Sequence, residues 1–357
     1  METLQYMNEN GELANGYAPE VAEEVMIDAY KAMRLARHVD ERMITLQRQG
    51  TITFALSSLG EECCSVGAAA ALDPGDWIYP QYRENGALFY RGFSAEDYVH
   101  HMFGDAKDLG KGRQMPNHFG CRELNVVTVS SPIGTKIPHA AGCAYAMKLQ
   151  NEALAALVFF GEGATSEGDF HAGMNFAAVL EAPAIFFCRN NQYAISTKES
   201  SQYHSEGVAP KGAGYGIETY RVDGNDFFAV YESVAKARNH CVEGKGPVLI
   251  EAMTYRRGAH STSDDPTRYR PKEEVEEWEK KDPVIRLRRY MENAGLWDGG
   301  KEKSLLQEIE NEVTKAIEIA KKTEKPPLIS LVEDVYEEIP ATLMEQYEDV
   351  RQHHTSS

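Results

Sequence analysis

Residues 153–191 read ALAALVFFGEGATSEGDFHAGMNFAAVLEAPAIFFCRNN. The stretch opens with a short apolar run, Ala153 to Phe160, and a second apolar run, Ala184 to Cys188, ends just before Arg189. Between the runs, Ser166 to Asp169 has the character of a helix start, with its acid in the first turn. Two apolar strands joined by a loop and a helix are typical of a parallel sheet that is covered on both faces.

The flanking sequence repeats this pattern. We predict strands over Tyr220 to Val222 and Val248 to Ala252, with a helix over Phe228 to Glu243 between them. Further helices are predicted on both sides of this region, over Pro19–Gln49, Glu61–Leu72, Glu273–Met291 and Ser304–Lys322. The prediction is therefore an α/β fold with a mostly parallel sheet, helices on both faces and a helical C-terminal extension.

The chain divides into three predicted segments. Residues 1–19 have little periodicity and form an N-terminal arm, residues 20–272 form the α/β domain, and residues 273–357 form the helical extension, packed on the same domain. Residues 256–272 are polar and rich in Ser, Asp, Arg and Pro, which predicts a mobile surface loop.

Composition excludes several classes of function. The 357 residues include 37 basic and 55 acidic side chains, for a net charge of −18, so binding to nucleic acid or to an anionic membrane is not expected. No apolar run is long enough to cross a bilayer, and Met1 to Glu24 lacks the features of a targeting segment. None of the six cysteines forms a Cys-x-x-Cys pair, which favours a reducing compartment. We expect a cytoplasmic enzyme.

Two polar groups follow the two strands of the opening stretch. Glu162 comes directly after the first strand and Asn191 directly after the second. Because ligands bind beyond the carboxyl ends of parallel strands, these side chains should meet at one rim of the sheet. A carboxylate, an amide oxygen and a backbone carbonyl, that of Tyr193, are hard ligands suited to Mg²⁺. The glycines and the helix start near Ser166 suit an approaching diphosphate.

Two other interpretations of the glycines stay open on spacing alone. The first is a plain turn that connects a strand to a helix. The second is dinucleotide binding, which is disfavoured because position 166 is Ser rather than Gly, and because Arg189 and Asn190 stand where the motif needs an acid.

Longer stretches resemble a known family. The sequence is similar to alpha subunits of thiamine-diphosphate-dependent 2-oxo acid dehydrogenases (decarboxylating), of the branched-chain type, from about residue 20 to about residue 345. The stretches that carry the resemblance are Gln81–Glu84, Gly112–Pro116, Val129–Pro132, Phe160–Asp169, Phe186–Thr197 and Glu251–Asp265. It implies a thiamine-diphosphate-binding fold, in which this chain supplies the diphosphate and metal half of the site.

The resemblance also implies roles for individual residues. It assigns Mg²⁺ to Glu162, Asn191 and the Tyr193 carbonyl, and the aminopyrimidine ring to Ser131 and Ile133. It assigns substrate contacts to Gln81 and Tyr82. The remaining residues implied in cofactor binding are Tyr82, Arg83, Gly163, Ala164, Arg189 and His260, with Glu167 lining the same loop. Without the resemblance, Arg83 and Arg189 would each be read as ordinary ion-paired or solvated arginines.

His260 is the implied catalytic residue, assisting acyl transfer to a lipoyl group. A histidine can exchange a proton near neutral pH, although the sequence alone would equally fit a satisfied loop histidine. Ser261 matches a residue that is phosphorylated in mitochondrial relatives, and Ala259 stands where relatives have His. Lys136 stands where relatives use Gln to bind potassium. We predict that its ammonium group replaces the ion, the alternative being that it points to solvent.

The implied reaction is decarboxylation of a small 2-oxo acid, such as 3-methyl-2-oxobutanoate, followed by acyl transfer to the lipoyl group of a dihydrolipoyl acyltransferase. The implied partners are that acyltransferase and a beta subunit, in an α2β2 heterotetramer. The alternative substrates are those of pyruvate and acetoin dehydrogenases. Three other classes stay open: a transketolase half-enzyme, a nicotinamide dehydrogenase and a noncatalytic regulatory subunit.

Overall fold

The computed structural model describes residues 1–354, and its centre is a five-stranded sheet in the order β1-β2-β3-β7-β6 in which every neighbouring pair is parallel. The two remaining strands, β4 and β5, form a small antiparallel hairpin. The strand bounds are β1 Trp77–Tyr79, β2 Ala156–Gly161, β3 Ala184–Asn190, β4 Tyr193–Ala194, β5 Thr197–Lys198, β6 Glu218–Asp223 and β7 Val248–Met253.

Helices cover both faces of the sheet, as the sequence predicts. Their bounds are α1 Glu23–Arg48, α2 Glu62–Ala70, α3 Asn85–Tyr90, α4 Ala95–Phe103, α5 Lys136–Gln150, α6 Gly168–Leu180, α7 Ala209–Ala213, α8 Phe227–Val242, α9 Lys272–Glu279, α10 Pro283–Asn293, α11 Gly299–Ala320, α12 Ser330–Glu333 and α13 Ala341–His354. Within residues 1–354, no helix is both long enough and apolar enough to cross a membrane.

Alternate residues of the central strands enter two separate hydrophobic cores. Leu157 and Phe159 of β2 point into the core that α1, α2 and α8 also line. Val158 and Phe160 of the same strand point into the core that α5 and α6 line. Because side chains alternate between the faces of a strand, a strand that is covered on both sides is apolar throughout. This explains the unbroken apolar runs.

Two predictions about local structure are wrong. The single helix predicted over Glu273–Met291 is divided into α9 and α10, because Asp282 accepts hydrogen bonds from the Val284 and Ile285 amides and Pro283 occupies the first helical position. The helix start predicted at Ser166 is also early: Glu162–Ser166 forms a 3₁₀ turn, and α6 begins at Gly168.

The N-terminal arm lies against the open edge of the sheet. Leu4 forms a parallel bridge with Val222 of β6, and the carboxylate of Asp226 accepts hydrogen bonds from the Tyr6 and Met7 amides at 2.6 and 2.7 Å. At the other end of the chain, α11 packs against α1 and α4. The N-terminal arm and α11 therefore both rest on the α/β core.

Candidate active site

The register between β2 and β3 brings the two predicted ligands together. Gly161 pairs with Arg189, so Glu162 and Asn191 leave the same rim of the sheet side by side. The Asn191 amide N–H donates to the Glu162 carboxylate at 3.3 Å. Glu162 and Asn191 are therefore neighbours in the structure, as expected from the ends of the two strands.

A cavity of about 390 Å³ opens at this rim. Its size lies in the roughly 300–1,000 Å³ range of small-molecule sites. Every residue singled out from the sequence as a site residue lines it, namely Gln81, Tyr82, Arg83, Ser131, Ile133, Glu162, Gly163, Ala164, Arg189, Asn191, Tyr193 and His260, together with Glu167.

Glu162 is a buried acid in an unfavourable environment. It is 1% exposed, and burial, with a smaller contribution from the nearby Glu61, raises its pKa to about 7. The Asn191 amide and the Gln202 side chain each donate to it over a long 3.3 Å. A carboxylate held in this way gains much from a bound cation, because the cation offsets the cost of burying the charge.

Glu84 organises the loop that carries Gln81, Tyr82 and Arg83. One of its oxygens accepts hydrogen bonds from the backbone amides of all three residues, at 2.9, 2.9 and 3.0 Å. The other oxygen lies 2.6 Å from Nε of Arg189. This single buried carboxylate therefore ties the loop after β1 to the end of β3.

Arg189 and Arg83 are both buried against carboxylates. Nη1 of Arg189 lies 2.5 Å from Glu61, and Nη2 donates to the side-chain oxygen of Gln81 at 3.2 Å. Arg83 lies 3.9 Å from Glu61 and donates to the Ser57 carbonyl oxygen at 2.5 Å. The two guanidinium groups are thus held rigidly at the cavity wall, which refutes the interpretation of either as a solvated surface arginine.

The histidine predicted to be catalytic is held in its neutral form. Burial, then the charges of Arg83 and Arg256, lower the pKa of His260 to about 4. Because a guanidinium group can only donate, the contact of 3.3 Å between Nη2 of Arg83 and Nδ1 of His260 makes Nδ1 an acceptor. The proton of the neutral ring is therefore on Nε2.

The 256–272 segment is less exposed than the sequence predicts. Arg256 is 2% exposed and lines the cavity beside His260. Arg270 is also buried and donates to the carbonyl oxygens of Arg256, Arg257 and Gly258. The prediction of a surface loop is wrong for these two arginines, because their guanidinium groups donate to backbone carbonyls inside the fold, those of Tyr193 and Ile195 in the case of Arg256.

His118 lines the cavity wall and pairs with the predicted Ser131, although His118 itself was not predicted from the sequence. Nδ1 of His118 lies 3.0 Å from the Pro116 carbonyl oxygen, so it carries the proton, and Nε2 accepts from the Ser131 hydroxyl at 2.7 Å. Burial lowers the pKa of His118. The only signal in the sequence was its place two residues after the Gly112–Pro116 stretch.

Lys136 and Ser261 lie outside the cavity lining. Lys136 is the first residue of α5, is half-buried, and has a pKa lowered by burial alone. The hydroxyl of Ser261 contacts that of Ser263 at 3.0 Å, on the segment next to His260.

The chain has clear relatives among known proteins. A family model described as the dehydrogenase E1 component matches residues 30–329. The 2-oxoisovalerate dehydrogenase subunit alpha of Macaca fascicularis is 49% identical over 97% of this chain and 78% of its own length. Its counterpart from Homo sapiens is 48% identical over the same shares. The subunit alpha 2 of Arabidopsis thaliana is 46% identical over 97% and 74%.

These relatives correct one prediction. Each is named as a mitochondrial protein, which contradicts the cytoplasmic location expected from the sequence, and that prediction is wrong. Composition and cysteine usage point only to a reducing environment and do not separate one such compartment from another.

Proposed function

The chain belongs to the dehydrogenase E1 component family, whose members depend on thiamine diphosphate, and from this premise we propose that it is the alpha subunit of a branched-chain 2-oxo acid dehydrogenase. Its reaction would be the oxidative decarboxylation of 3-methyl-2-oxobutanoate (2-oxoisovalerate) and its homologues. The observation that carries the proposal is the convergence of all the predicted site residues on one cavity that holds a buried, raised-pKa glutamate.

The donor set at the rim fits Mg²⁺. Among residues 1–354, no three His, Cys, Asp or Glu side chains lie close enough to hold a metal ion, so a metal here needs amide and carbonyl oxygens as well. Glu162, the side-chain oxygen of Asn191 and the carbonyl of Tyr193 would supply hard oxygen ligands of the kind that Mg²⁺ prefers. We propose that they hold it, with diphosphate oxygens completing the coordination.

The cavity wall fits the cofactor. When bound, thiamine diphosphate supplies the nucleophilic carbon and the electron sink for decarboxylation. Arg83, Arg189 and His260 would bind the diphosphate, and Tyr82 would line it. Gly163 lets its loop pack closely against the small hairpin, because a Cβ atom there would lie 2.6 Å from the Cβ of Ala194. Gly163 and Ala164 would face the diphosphate, while Ser131 and Ile133 would contact the aminopyrimidine.

Gln81 and Tyr82 are the proposed substrate contacts. The side-chain oxygen of Gln81 already accepts from the Gly161 amide at 2.8 Å and from Arg189 at 3.2 Å. Its amide N–H groups are therefore the part of the side chain that remains to donate, and a 2-oxo acid presents carbonyl and carboxylate oxygens as acceptors. Phe54, Leu56 and Met115 supply apolar surface in the same cavity for a branched aliphatic group.

His260 is the proposed catalytic residue. As a neutral ring with its proton on Nε2, it is a hydrogen-bond donor toward oxygen or sulfur acceptors in the cavity, a role that suits the acyl-transfer step. The lipoyl group of a dihydrolipoyl acyltransferase would receive the acyl unit.

The proposed assembly is an α2β2 heterotetramer with a beta subunit, as the word alpha in the names of the relatives suggests. We also propose that residues 20–272 form the cofactor-binding domain, with residues 1–19 as an arm and an extension packed on it that begins at residue 273; its last three residues, 355–357, lie outside the described residues.

The test is an assay of decarboxylation with an artificial electron acceptor. The chain is mixed with its beta subunit, thiamine diphosphate and Mg²⁺, and each component is omitted in turn. We expect turnover of 3-methyl-2-oxobutanoate that needs all four and exceeds turnover of pyruvate. A clear preference for pyruvate or acetoin would overturn the substrate, and cofactor binding without any turnover would favour a regulatory subunit. Ketol transfer instead of decarboxylation would favour a transketolase.

A matched pair of variants sharpens this assay. Glu162→Gln keeps the volume but removes the charge of the proposed metal ligand, and it should abolish turnover. Glu243→Gln makes the same change at an exposed residue that pairs with Lys245, and it should leave turnover unchanged. Equal activity of the two variants would refute the role of Glu162.

A further inference from the structure

Glu61 is a third buried carboxylate at the site, beside Glu162 and Glu84, and it was not predicted from the sequence. It is 1% exposed and lies just before α2. One of its oxygens lies 2.5 Å from Nη1 of Arg189, and the other accepts a hydrogen bond from Nδ2 of Asn191 at 3.1 Å. It therefore stands between the buried arginine and the amide of a proposed metal ligand.

The chemistry of this contact gives the Asn191 amide a direction. An ionised carboxylate has no proton to donate, so it accepts only from the nitrogen end of the amide. Glu61 faces two guanidinium groups, with Nη1 of Arg189 at 2.5 Å and Nε of Arg83 at 3.9 Å, and these groups can only donate, so the carboxylate acts as an acceptor toward all of its partners. With the nitrogen end fixed on Glu61, the oxygen end of Asn191 faces away from it. The other contact that favours this direction, from the Tyr193 amide to Oδ1, is 3.3 Å long.

We propose that Glu61 is a positioning residue for the metal: by holding the nitrogen end of Asn191, it presents the side-chain oxygen of Asn191 as a ligand to Mg²⁺. The inference rests on the proposed function, because it assumes that Asn191 is a metal ligand. Groups that orient ligands from the outer shell typically change metal affinity by roughly 10–100-fold when they are lost.

Glu61→Gln should reverse the orientation of the Asn191 side-chain amide rather than merely weaken its hydrogen bond. The oxygen of the introduced side chain will turn toward Arg189, because a guanidinium group can only donate. The introduced NH₂ group then faces Asn191, which must rotate to accept from it. The nitrogen end of Asn191 is thereby turned to the metal, where it cannot bind.

A second substitution separates this effect from simple damage. In Glu61→Gln/Asn191→Asp, the new carboxylate accepts from the introduced amide with one oxygen and keeps the other for the metal. The net charge of the site is the same as in the native protein. The matched control is Glu62→Gln, at the adjacent buried glutamate, which pairs with Arg37 at 2.7 Å outside the cavity.

The experiment measures the apparent Kd of Mg²⁺ in the reconstituted complex with the beta subunit, without substrate. The readout is quenching of protein fluorescence by saturating thiamine diphosphate as Mg²⁺ is added. We expect Glu61→Gln to raise this Kd by roughly 10–100-fold, and the double variant to recover most of the loss. Glu62→Gln should lower the melting temperature but leave the Kd unchanged.

Two results would overturn the inference while leaving the proposed function intact. One is a Kd for Glu61→Gln within about twofold of the native value, well below the effect expected of an orienting group. The other is an equal loss in the single and the double variant, which would mean that Glu61 only neutralises Arg189. If the native complex binds neither Mg²⁺ nor the cofactor, the proposed function itself fails, and the inference with it.

Discussion

Nη2 of Arg83 reaches two atoms of His260, lying 3.3 Å from Nδ1 of the ring and 2.6 Å from the backbone carbonyl oxygen. The arginine comes from the loop after β1, and the histidine comes from the segment after β7. One guanidinium group thus fixes the position and the tautomer of the proposed catalytic histidine, and it adds to burial in keeping the ring neutral. A cation so close to an imidazole disfavours a second positive charge on the ring.

His260 should remain neutral well below the ordinary histidine range. Burial first, and then Arg83 and Arg256, lower its pKa to about 4. We expect that, in the cofactor-free chain, NMR of the ring shows no titration of His260 between pH 5.5 and 8. Arg83→Gln removes one of the charges and should raise the pKa, with burial still holding it below 6.5. A native pKa near 6.5 would contradict this account.

The lowered pKa of His260 should also make the folded chain less stable in acid. Because its pKa is lower in the folded chain than in the unfolded one, the unfolded chain binds more protons between about pH 4 and 6.5. Its contribution to stability is complete above pH 6.5 and is lost as the pH falls toward 4. His260→Gln should therefore flatten the pH dependence of the unfolding free energy in this window, by on the order of 2 kcal/mol once partial exposure is allowed for. Urea denaturation of the native chain and of His260→Gln at several pH values measures this difference. The prediction would be refuted if the unfolding free energy depended on pH in the same way in both proteins.

The pKa of Glu162 is shifted in the opposite direction, so the ionised side chain should destabilise the metal-free chain. Its pKa, raised to about 7 by burial, exceeds that of the unfolded chain, so the folded chain binds more protons between about pH 4.5 and 7. The penalty is absent below pH 4.5 and complete above pH 7. Glu162→Gln should then stabilise the metal-free chain at pH 8 by on the order of 2 kcal/mol.

Denaturation with and without Mg²⁺ provides the check for Glu162. Mg²⁺ with thiamine diphosphate should stabilise the native complex with the beta subunit and leave the Glu162→Gln complex unchanged. The assignment of Glu162 as a strained metal ligand would be contradicted if Glu162→Gln were less stable than the native chain at pH 8. It would also be contradicted if the Glu162→Gln complex gained as much stability from Mg²⁺ and thiamine diphosphate as the native complex does.

The sequence was sufficient to predict the rim and every strand of the five-stranded sheet except β1. Continuous apolar runs mark strands that are buried on both faces, and the residues after β2 and β3 must meet because parallel strands end on the same side. Glu162 and Asn191 could therefore be paired without coordinates. The assignment of Arg83 and His260 to the same place required the family resemblance, because β1, which precedes Arg83, was not evident in the sequence, and His260 lies well beyond the end of β7.

The groups that hold the site in place could not be predicted in this way. Glu61 and Glu84 act through ion pairs with Arg189, which is far away from both in the chain. A glutamate before a helix is an ordinary residue in sequence terms, and only its burial shows its role. The division between α9 and α10 was missed for a different reason, since Asp282-Pro283 is a local stop and start signal that was available in the sequence.

Glu84 should be among the most sensitive positions of the chain. It accepts from three consecutive backbone amides and pairs with Arg189, all inside the fold. Removing one partner of a buried ion pair typically costs about 3–5 kcal/mol, and Glu84→Ala also leaves three N–H groups without an acceptor. We expect a loss of at least about 3 kcal/mol in chemical denaturation.

Glu96→Ala is the matched control for Glu84. Glu96 lies on nearby α4 and is more exposed, and its contact with Lys107 is 3.5 Å long. Exposed pairs contribute only about 0–1 kcal/mol, so this variant should be nearly as stable as the native chain. Similar losses in the two variants would show that the loop after β1 is not held by Glu84.

The last prediction concerns Lys136 and potassium. The ammonium group is half-buried at the first residue of α5, where burial lowers its pKa and where a positive charge is unfavourable for the helix dipole. A positive charge is disfavoured at this position, and its presence is explained if the ammonium group of Lys136 replaces a bound potassium ion. The reconstituted native complex should have the same activity and melting temperature in KCl and in NaCl of equal ionic strength.

Lys136→Gln should create a requirement for potassium, because it restores the amide that relatives use as a ligand. We expect this variant to be less stable than the native chain in NaCl and to recover in KCl, with a saturable dependence on the potassium concentration. Lys136→Met is the control, since it removes the charge without adding an oxygen ligand and should stay impaired in both salts. Native activity that rises strongly with added potassium would mean that the ion still binds beside Lys136, and the replacement would be refuted.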